Sequence, residues 1–214
     1  MTYLIFILSL LITVIAHETG HLLASLFCKV KVEAFCIGFF KPYLHKKCKG
    51  IDWRITPFLL GGYCQIAGET ENIKDGLLCQ PYYKKVIIIL AGVFVNLCIA
   101  LICYWINYKN IFLGMYIDWV ALKSIFINNY DELINLVIFF KPNLFLMQLS
   151  MINIFCAIAN IIPFPALDGG YLWLYLMKPV WKENYVKYLQ RVTKIGFISI
   201  NVLQGILILW MWLK

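Results

Sequence analysis

The sequence predicts a mainly α protein, a polytopic transmembrane helix bundle carrying a short β-hairpin region, and three observations predict it. Of 214 residues, 62% are hydrophobic and only 14% charged, with a mean hydropathy of +0.79. Soluble domains are nearer half apolar and a quarter charged, so this chain has too little polar surface to cover its apolar content. Four apolar stretches, residues 2–27, 86–106, 144–162 and 195–213, each approach the roughly 20 residues that a helix needs to cross a bilayer. Between residues 30 and 70 the pattern changes to alternating and aromatic residues broken by Pro42, Gly50, Pro57, Gly61-Gly62 and Gly68, which reads as short strands and turns.

The first stretch has the look of a signal-peptide core. It has no Lys or Arg ahead of its apolar run, however, and cleavage near Ala16 would remove the helix that carries His17, so it is expected to stay as a helix over residues 2–27. In the strand region, Gly61-Gly62-Tyr63 lets an extended segment approach other backbone closely, which suits a strand dipping toward a site; a plain hairpin fits the composition equally well. After the helix over residues 86–106, two stretches stay open. Residues 111–127 contain Asp118 and Lys123, and residues 133–140 are too short to cross alone, so the pair reads as an interfacial hairpin or as two poor spans. A helix over residues 144–162 leads into a Pro- and Gly-rich loop ending near Gly170. The apolar run 171–177 is short and Pro179 limits its continuation, leaving residues 195–213 as a C-terminal helix. No internal repeat, low-complexity tract or appended soluble domain is visible, so residues 1–214 read as a single integral-membrane domain.

Charge sets the expected topology. Ten of the nineteen Lys and Arg residues fall between residues 29 and 85, three between 109 and 141, and five between 178 and 194. The positive-inside bias places the first and third groups in the cytoplasm and brings the end of the first helix and the loop after residue 162 to one side. The net charge of +8 does not point to nucleic acid, because the lysines form no basic helix or aromatic-basic platform. The eight cysteines show no CxxC pair and read as reduced, partly buried thiols.

The chemistry lies in the first helix. His17-Glu18-Thr19-Gly20-His21 puts two imidazoles about 40° apart on one helix face, close enough to share a zinc ion, with Glu18 placed to act on a water at that ion. Ionisable groups in a membrane helix cost roughly 2.5–3.5 kcal/mol each, which argues against idle polar residues on a buried face. A catalytic zinc has three protein ligands, and Asp168, in the segment from Asn160 to Gly170, is the leading candidate for the third. Pro163, Pro165 and the Gly169-Gly170 pair break the backbone there, as is tolerated at membrane depth beside a wet cavity; a turn with a capping Asp is the plain alternative. Glu33, Asp52, Glu69, Glu71 and Asp75 read as solvated partners of nearby lysines, and His45 as a surface residue. The extended HExxHxxGxxH pattern is absent. Asn160, and less directly Asn96, could donate to an oxyanion or simply bond between helices.

These residues together resemble the site-2 protease family of intramembrane zinc metalloproteases (peptidase family M50), and within it the compact bacterial branch that includes stage IV sporulation protein FB. His17 to His21 matches the family's HExxH, and Asn160 to Gly170 its Asn-Pro-Asp-Gly element. Residues 54–69 are similar to its membrane-associated hairpin, and Gly92 to Asn96 to its Gly-Pro-x-x-Asn element with Val93 in place of proline. The resemblance implies one Zn²⁺ per chain held by His17, His21 and Asp168, with Glu18 as general base and Asn160 at the oxyanion. It implies that Gly61, Gly62, Tyr63, Cys64 and Gln65 pair with an unwound substrate strand. Membrane-associated regulatory proteins, such as a sigma-factor precursor or an anti-sigma factor, would be the substrates, in regulated intramembrane proteolysis of which sporulation is one setting. The expected location is a bacterial cytoplasmic membrane with the site facing the cytoplasm, a lipid bilayer and a membrane regulator or inhibitor as partners, and no nucleic acid. Relative to the family, a helix ahead of the HExxH helix, a PDZ insertion and a nucleotide-sensing domain are missing. A zinc or proton transporter, or a non-catalytic metal clasp, would use the same His, Glu and Asp cluster.

Overall fold

The computed structural model describes residues 2–39, 41 and 43–212. Three long helices form its centre: α1 (Thr2–Phe27), α2 (Tyr82–Tyr108) and α5 (Leu144–Ile161). Each packs against the other two, and all three are long and apolar enough to cross a membrane. The burial pattern of α1 shows what solvent it is built for. Ser9, Thr13, His17, His21 and Ser25, spaced by four residues, are buried, together with Gly20 and Leu22, whereas Leu4, Phe6, Ile7, Leu8, Ile12, Leu23, Leu26 and Phe27 face outward. A soluble helix places these two sets the other way round; here lipid covers the apolar side and small polar residues let helices approach closely. Asn153 of α5 fixes the contact by donating to Thr13 Oγ1 at 2.8 Å.

The stretch left open in the sequence is a pair of helices, α3 (Ile111–Ile127) and α4 (Asp131–Phe140). Its Asp118 is buried rather than solvated. Tyr104 of α2 donates to Asp118 Oδ2 at 2.7 Å and Ser150 of α5 at 3.4 Å, so a polar clasp joins α3 to the central helices. Lys123 pairs with Glu132 at 3.1 Å, which ties α3 to α4. At the same end, Asn143 caps α5 by accepting from Phe145 and Leu146 N–H, and its backbone N–H donates to Asn107 Oδ1 at 3.0 Å.

Residues 30–70 fold into more than the hairpin expected. Four strands, β1 (Val32–Phe39), β2 (Leu44–Cys48), β3 (Ile51–Ile55) and β4 (Phe58–Ile66), form one sheet in the order β2-β3-β1-β4. β2 and β3 are a tight hairpin through Lys49 and Gly50, both at positive φ, as a two-residue hairpin turn requires. β3 then runs parallel to β1, with Phe35 opposite Trp53, and β4 runs antiparallel to β1, with Phe35 opposite Cys64. The parallel pairing inserts β1 between its successors, an arrangement that local patterning does not encode. Arg54 holds the sheet together from above: it pairs with Asp52 at 2.7 Å and donates across β1 to Tyr63 Oη at 3.1 Å. The guanidinium and His45, 3.0 Å from Asp52, hold the Asp52 carboxyl below the usual carboxylate range. Asp52 and His45 are therefore structural partners across two strands.

The far end of the chain completes the fold with α6 (Asp168–Leu176), the single turn α7 (Lys178–Trp181) and α8 (Tyr185–Trp212), so that the predicted C-terminal helix starts ten residues earlier; Leu213 lies outside the described residues. A core of Cys28, Val30, Ile66, Leu77, Leu78, Ile88, Ile89, Leu174, Tyr175, Tyr185 and Leu189 locks the end of α1, the end of β4 and the starts of α2 and α8 together. All eight cysteines are free thiols, as expected from their spacing.

Candidate metal centre

α1 and α2 approach closely enough at Gly20 and Gly92 for the site to form between them. A Cβ on Gly20 would lie 2.6 Å from the Ala91 carbonyl oxygen, and one on Gly92 would lie 2.6 Å from His21 Nε2 and 2.7 Å from His17 Cε1. Both imidazoles thus rest on bare backbone of α2. Asp168 arrives from the other side, in the first turn of α6, where the helix dipole favours a carboxylate. The loop before it turns sharply at Pro163, Pro165 and Ala166, whose φ is 78°, and folds back so tightly that side chains on Gly169 and Gly170 would strike the Ile161 and Phe164 carbonyls. Only glycine permits that return.

The result is a cluster of three acceptor atoms within 4.8 Å of one another. His17 Nε2 and His21 Nε2 are 3.1 Å apart, and Asp168 Oδ2 is 3.1 Å from the first and 3.3 Å from the second. Tetrahedral ligands at zinc distances of 2.0–2.1 Å lie about 3.3 Å from each other, so the spacing fits zinc. The outer shell fits as well. His21 Nδ1 is 2.8 Å from the Ile88 carbonyl oxygen, which accepts its proton and leaves Nε2 with a free lone pair. The amide nitrogen of Asn96 lies 3.1 Å from His17 Nδ1, while its oxygen is buried without a partner. With Nε2 on a metal the His17 proton sits on Nδ1, and a half-turn of the Asn96 amide gives both groups what they lack. Asp168 Oδ2 is likewise buried with no hydrogen-bond donor. Three converging lone pairs repel one another unless a cation lies between them, and the donor set of two imidazoles and a carboxylate suits Zn²⁺.

A cavity of about 420 Å³ opens onto the cluster, lined by His17, Glu18, His21, Asp168, Asn160 and β4 residues Gly61 to Cys64. Glu18 and Cys64 face each other across this cavity lining, from α1 and β4. β4 is the outer strand of the sheet, so among the described residues its second edge is free of strand pairing beside the cavity. Gly62 sits directly against α1: a Cβ there would lie 3.4 Å from Glu18 Cγ. Asn160 donates within its own helix to the Cys156 carbonyl at 3.0 Å.

The structure separates the sequence-derived candidates. His17, Glu18, His21, Asp168, Asn160, Gly61, Gly62, Tyr63 and Cys64 converge on the cavity. Gln65 does not; it is exposed and donates to Glu33 at 2.8 Å. Asn96 lies behind His17, away from any oxyanion position, and is an orienting partner of the ligand. Glu69, read from the sequence as a solvated lysine partner, instead lines the cavity. No spacing rule links it to the motif, and the turn at Gly68, φ 68°, that directs it inward depends on contact with Gly76.

Helices long and apolar enough to cross a membrane thus carry an HExxH-plus-Asp cluster with a sheet edge beside it. The model of peptidase family M50 matches residues 5–203, and the chain belongs to that family, the site-2 protease family. Similar curated proteins carry the printed description "Putative zinc metalloprotease". One from Borreliella burgdorferi is 35% identical over 48% of this chain and 27% of its own length. One from Neisseria meningitidis is 34% identical over 50% and 26%, and one from Campylobacter jejuni is 39% identical over 41% and 26%. The matched stretch thus spans about a quarter of the length of each relative.

Proposed function

We propose that the protein is an intramembrane zinc endopeptidase that cuts membrane-associated regulatory proteins. The observation that carries this reading is Glu18, which is not needed to hold a metal yet lies beside the three-ligand cluster, in the same cavity as an unpaired strand edge. His17, His21 and Asp168 would hold one Zn²⁺, which when bound supplies Lewis acidity to polarise a carbonyl and acidify water. Glu18, in the same cavity lining as the cluster, takes the proton of the attacking water and returns it to the leaving amine, so the proton balance closes on one residue. Asn160, released from the Cys156 carbonyl, donates to the oxyanion. A peptide bond inside a helix is covered and hydrogen-bonded, so the substrate must unwind; the free edge of β4 at Gly62 and Cys64 offers backbone partners to the extended segment. The substrate class would be sigma-factor precursors or anti-sigma factors, in sporulation or another process, with the site toward the cytoplasm.

Glu18→Gln tests the reading. The amide keeps the size of the side chain but cannot take a proton, so zinc content should stay at one per chain while cleavage of a co-expressed membrane-bound substrate falls by at least about 10³-fold. Equal cleavage by wild type and variant would overturn the mechanism. Metal flux without proteolysis by both would favour a transporter.

A further inference from the structure

Among the described residues, the cavity lining contains one carboxyl group that the proposed chemistry does not use. Glu69 stands three residues beyond the end of β4 and lines the same cavity as the metal cluster. Its backbone is pinned from several sides. The Ala67 N–H donates to the Lys31 carbonyl at 2.9 Å, the Leu77 N–H to the Ala67 carbonyl at 2.8 Å and the Leu78 N–H to the Gly68 carbonyl at 2.9 Å. The hydroxyl of Tyr175 on α6 donates to the Glu69 carbonyl at 3.1 Å, and Gln190 on α8 to the Thr70 carbonyl at 3.0 Å. A residue held in this way has its backbone fixed beside the cavity that its side chain lines.

That side chain lacks a counter-ion. Among the described residues no Lys or Arg lines the cavity, and the Glu69 carboxylate has no hydrogen-bond or ion-pair partner. The nearby lysines are committed elsewhere: Lys84 to the Cys28 carbonyl, and Lys85 to the Leu78 carbonyl and the face of Tyr175. With zinc in place, its two positive charges are balanced by Asp168 and Glu18, and Glu69 is left over. A desolvated carboxylate without a partner is costly, and burial pushes the Glu69 carboxyl up to about 7. A cation entering the cleft removes that cost; a second carboxylate doubles it.

We propose that Glu69 sets the sequence preference of the cleft by receiving a basic side chain, Lys or Arg, from the extended substrate segment beside the bond to be cut. This rests on the protease reading. Glu69 lies just past the strand edge that would align the substrate, so a strand paired with β4 carries a side chain toward it at one register position. Substrates with Asp or Glu at that position are excluded by like charge.

The test uses full-length protein in detergent and model peptides of about 20 apolar residues interrupted by Gly-Pro, with Lys, Gln or Glu walked along the positions next to the Gly-Pro. Binding is measured by fluorescence anisotropy to zinc-loaded Glu18→Gln protein, and cleavage by mass spectrometry with wild type. At one register position the Lys peptide should bind and be cut at least about ten-fold better than the Glu peptide. Glu69→Gln should flatten the preference and Glu69→Lys should invert it, with zinc content unchanged in both. A Lys-to-Glu ratio that is the same in wild type and Glu69→Lys, or binding that ignores charge, overturns the proposal. Charge-selective binding that follows Glu69 without any cleavage would instead remove the protease reading and leave the Glu69 site standing.

Discussion

Gly92 is as necessary to the metal centre as the ligands that rest on it, because any side chain there would occupy the space of the two imidazoles. Gly92→Ala should therefore insert and fold but push His17 and His21 apart, lowering zinc affinity by at least about ten-fold. Asn96→Leu removes the acceptor for the His17 proton and should cost 10- to 100-fold in affinity by the usual effect of losing a ligand's orienting partner. Competition against a chromogenic chelator in detergent measures both, and wild-type affinity in either variant would refute the corresponding contact. His17, Glu18 and His21 are legible in the sequence because one helical turn brings them together. Asp168 is legible only as the acid left after the others are assigned, and it is joined to the histidines by packing 147 residues away from His21. Glu69 is illegible for a related reason: its role depends on a loop pinned by Tyr175 and Gln190, partners about a hundred residues downstream.

The helices are read from the sequence with ends within a few residues, since an apolar run near 20 residues long has few other uses. β4 is different. In the sequence Gly61-Gly62-Tyr63 leaves an inward-dipping strand and a plain hairpin equally open; the strand runs straight through both glycines, with Gly62 flat against Val14 and Glu18 of α1. The consequence for substrate pairing concerns Cys64, which lines the cavity together with Glu18. Proline at Cys64 would disturb the general base as well as the strand edge, and Gln65 faces away, so neither position isolates strand pairing. The thiol of Cys64 offers a direct probe, since it lies in the cavity on the edge strand. With single-cysteine model peptides under mild oxidation, disulfides to Cys64 should form at every second peptide position along the unwound segment and vanish in Cys64→Ala. Trapping with no two-residue period, read on non-reducing gels, would show that the substrate does not lie along β4 as a strand.

At the scale of the whole molecule, charge and packing place the same segments together by independent routes. The core that joins Cys28, Ile66, Leu77, Ile88, Tyr175 and Leu189 puts residues 29–85 and 178–194 at one end of the bundle, and those segments hold ten and five of the nineteen Lys and Arg residues. The α3–α4 helices lie at the end where Asn107 meets Asn143, and residues 109–141 carry three basic residues. An excess of this size favours cytoplasmic placement of the basic end, with the metal centre nearer to it than to the α3–α4 end. In a background without reactive native thiols, a membrane-impermeant maleimide added to intact cells should therefore label Lys109→Cys and Asn129→Cys. It should reach Lys47→Cys and Lys187→Cys, both exposed in the fold, only after permeabilisation. Labelling of the second pair from outside would reverse the topology and move the cleft to the external face. Labelling of Lys109→Cys without Asn129→Cys would mean that α3 and α4 cross the bilayer as a pair, the second of the two arrangements open in the sequence, and would leave the direction of α1, α2 and α5 as the charge distribution sets it.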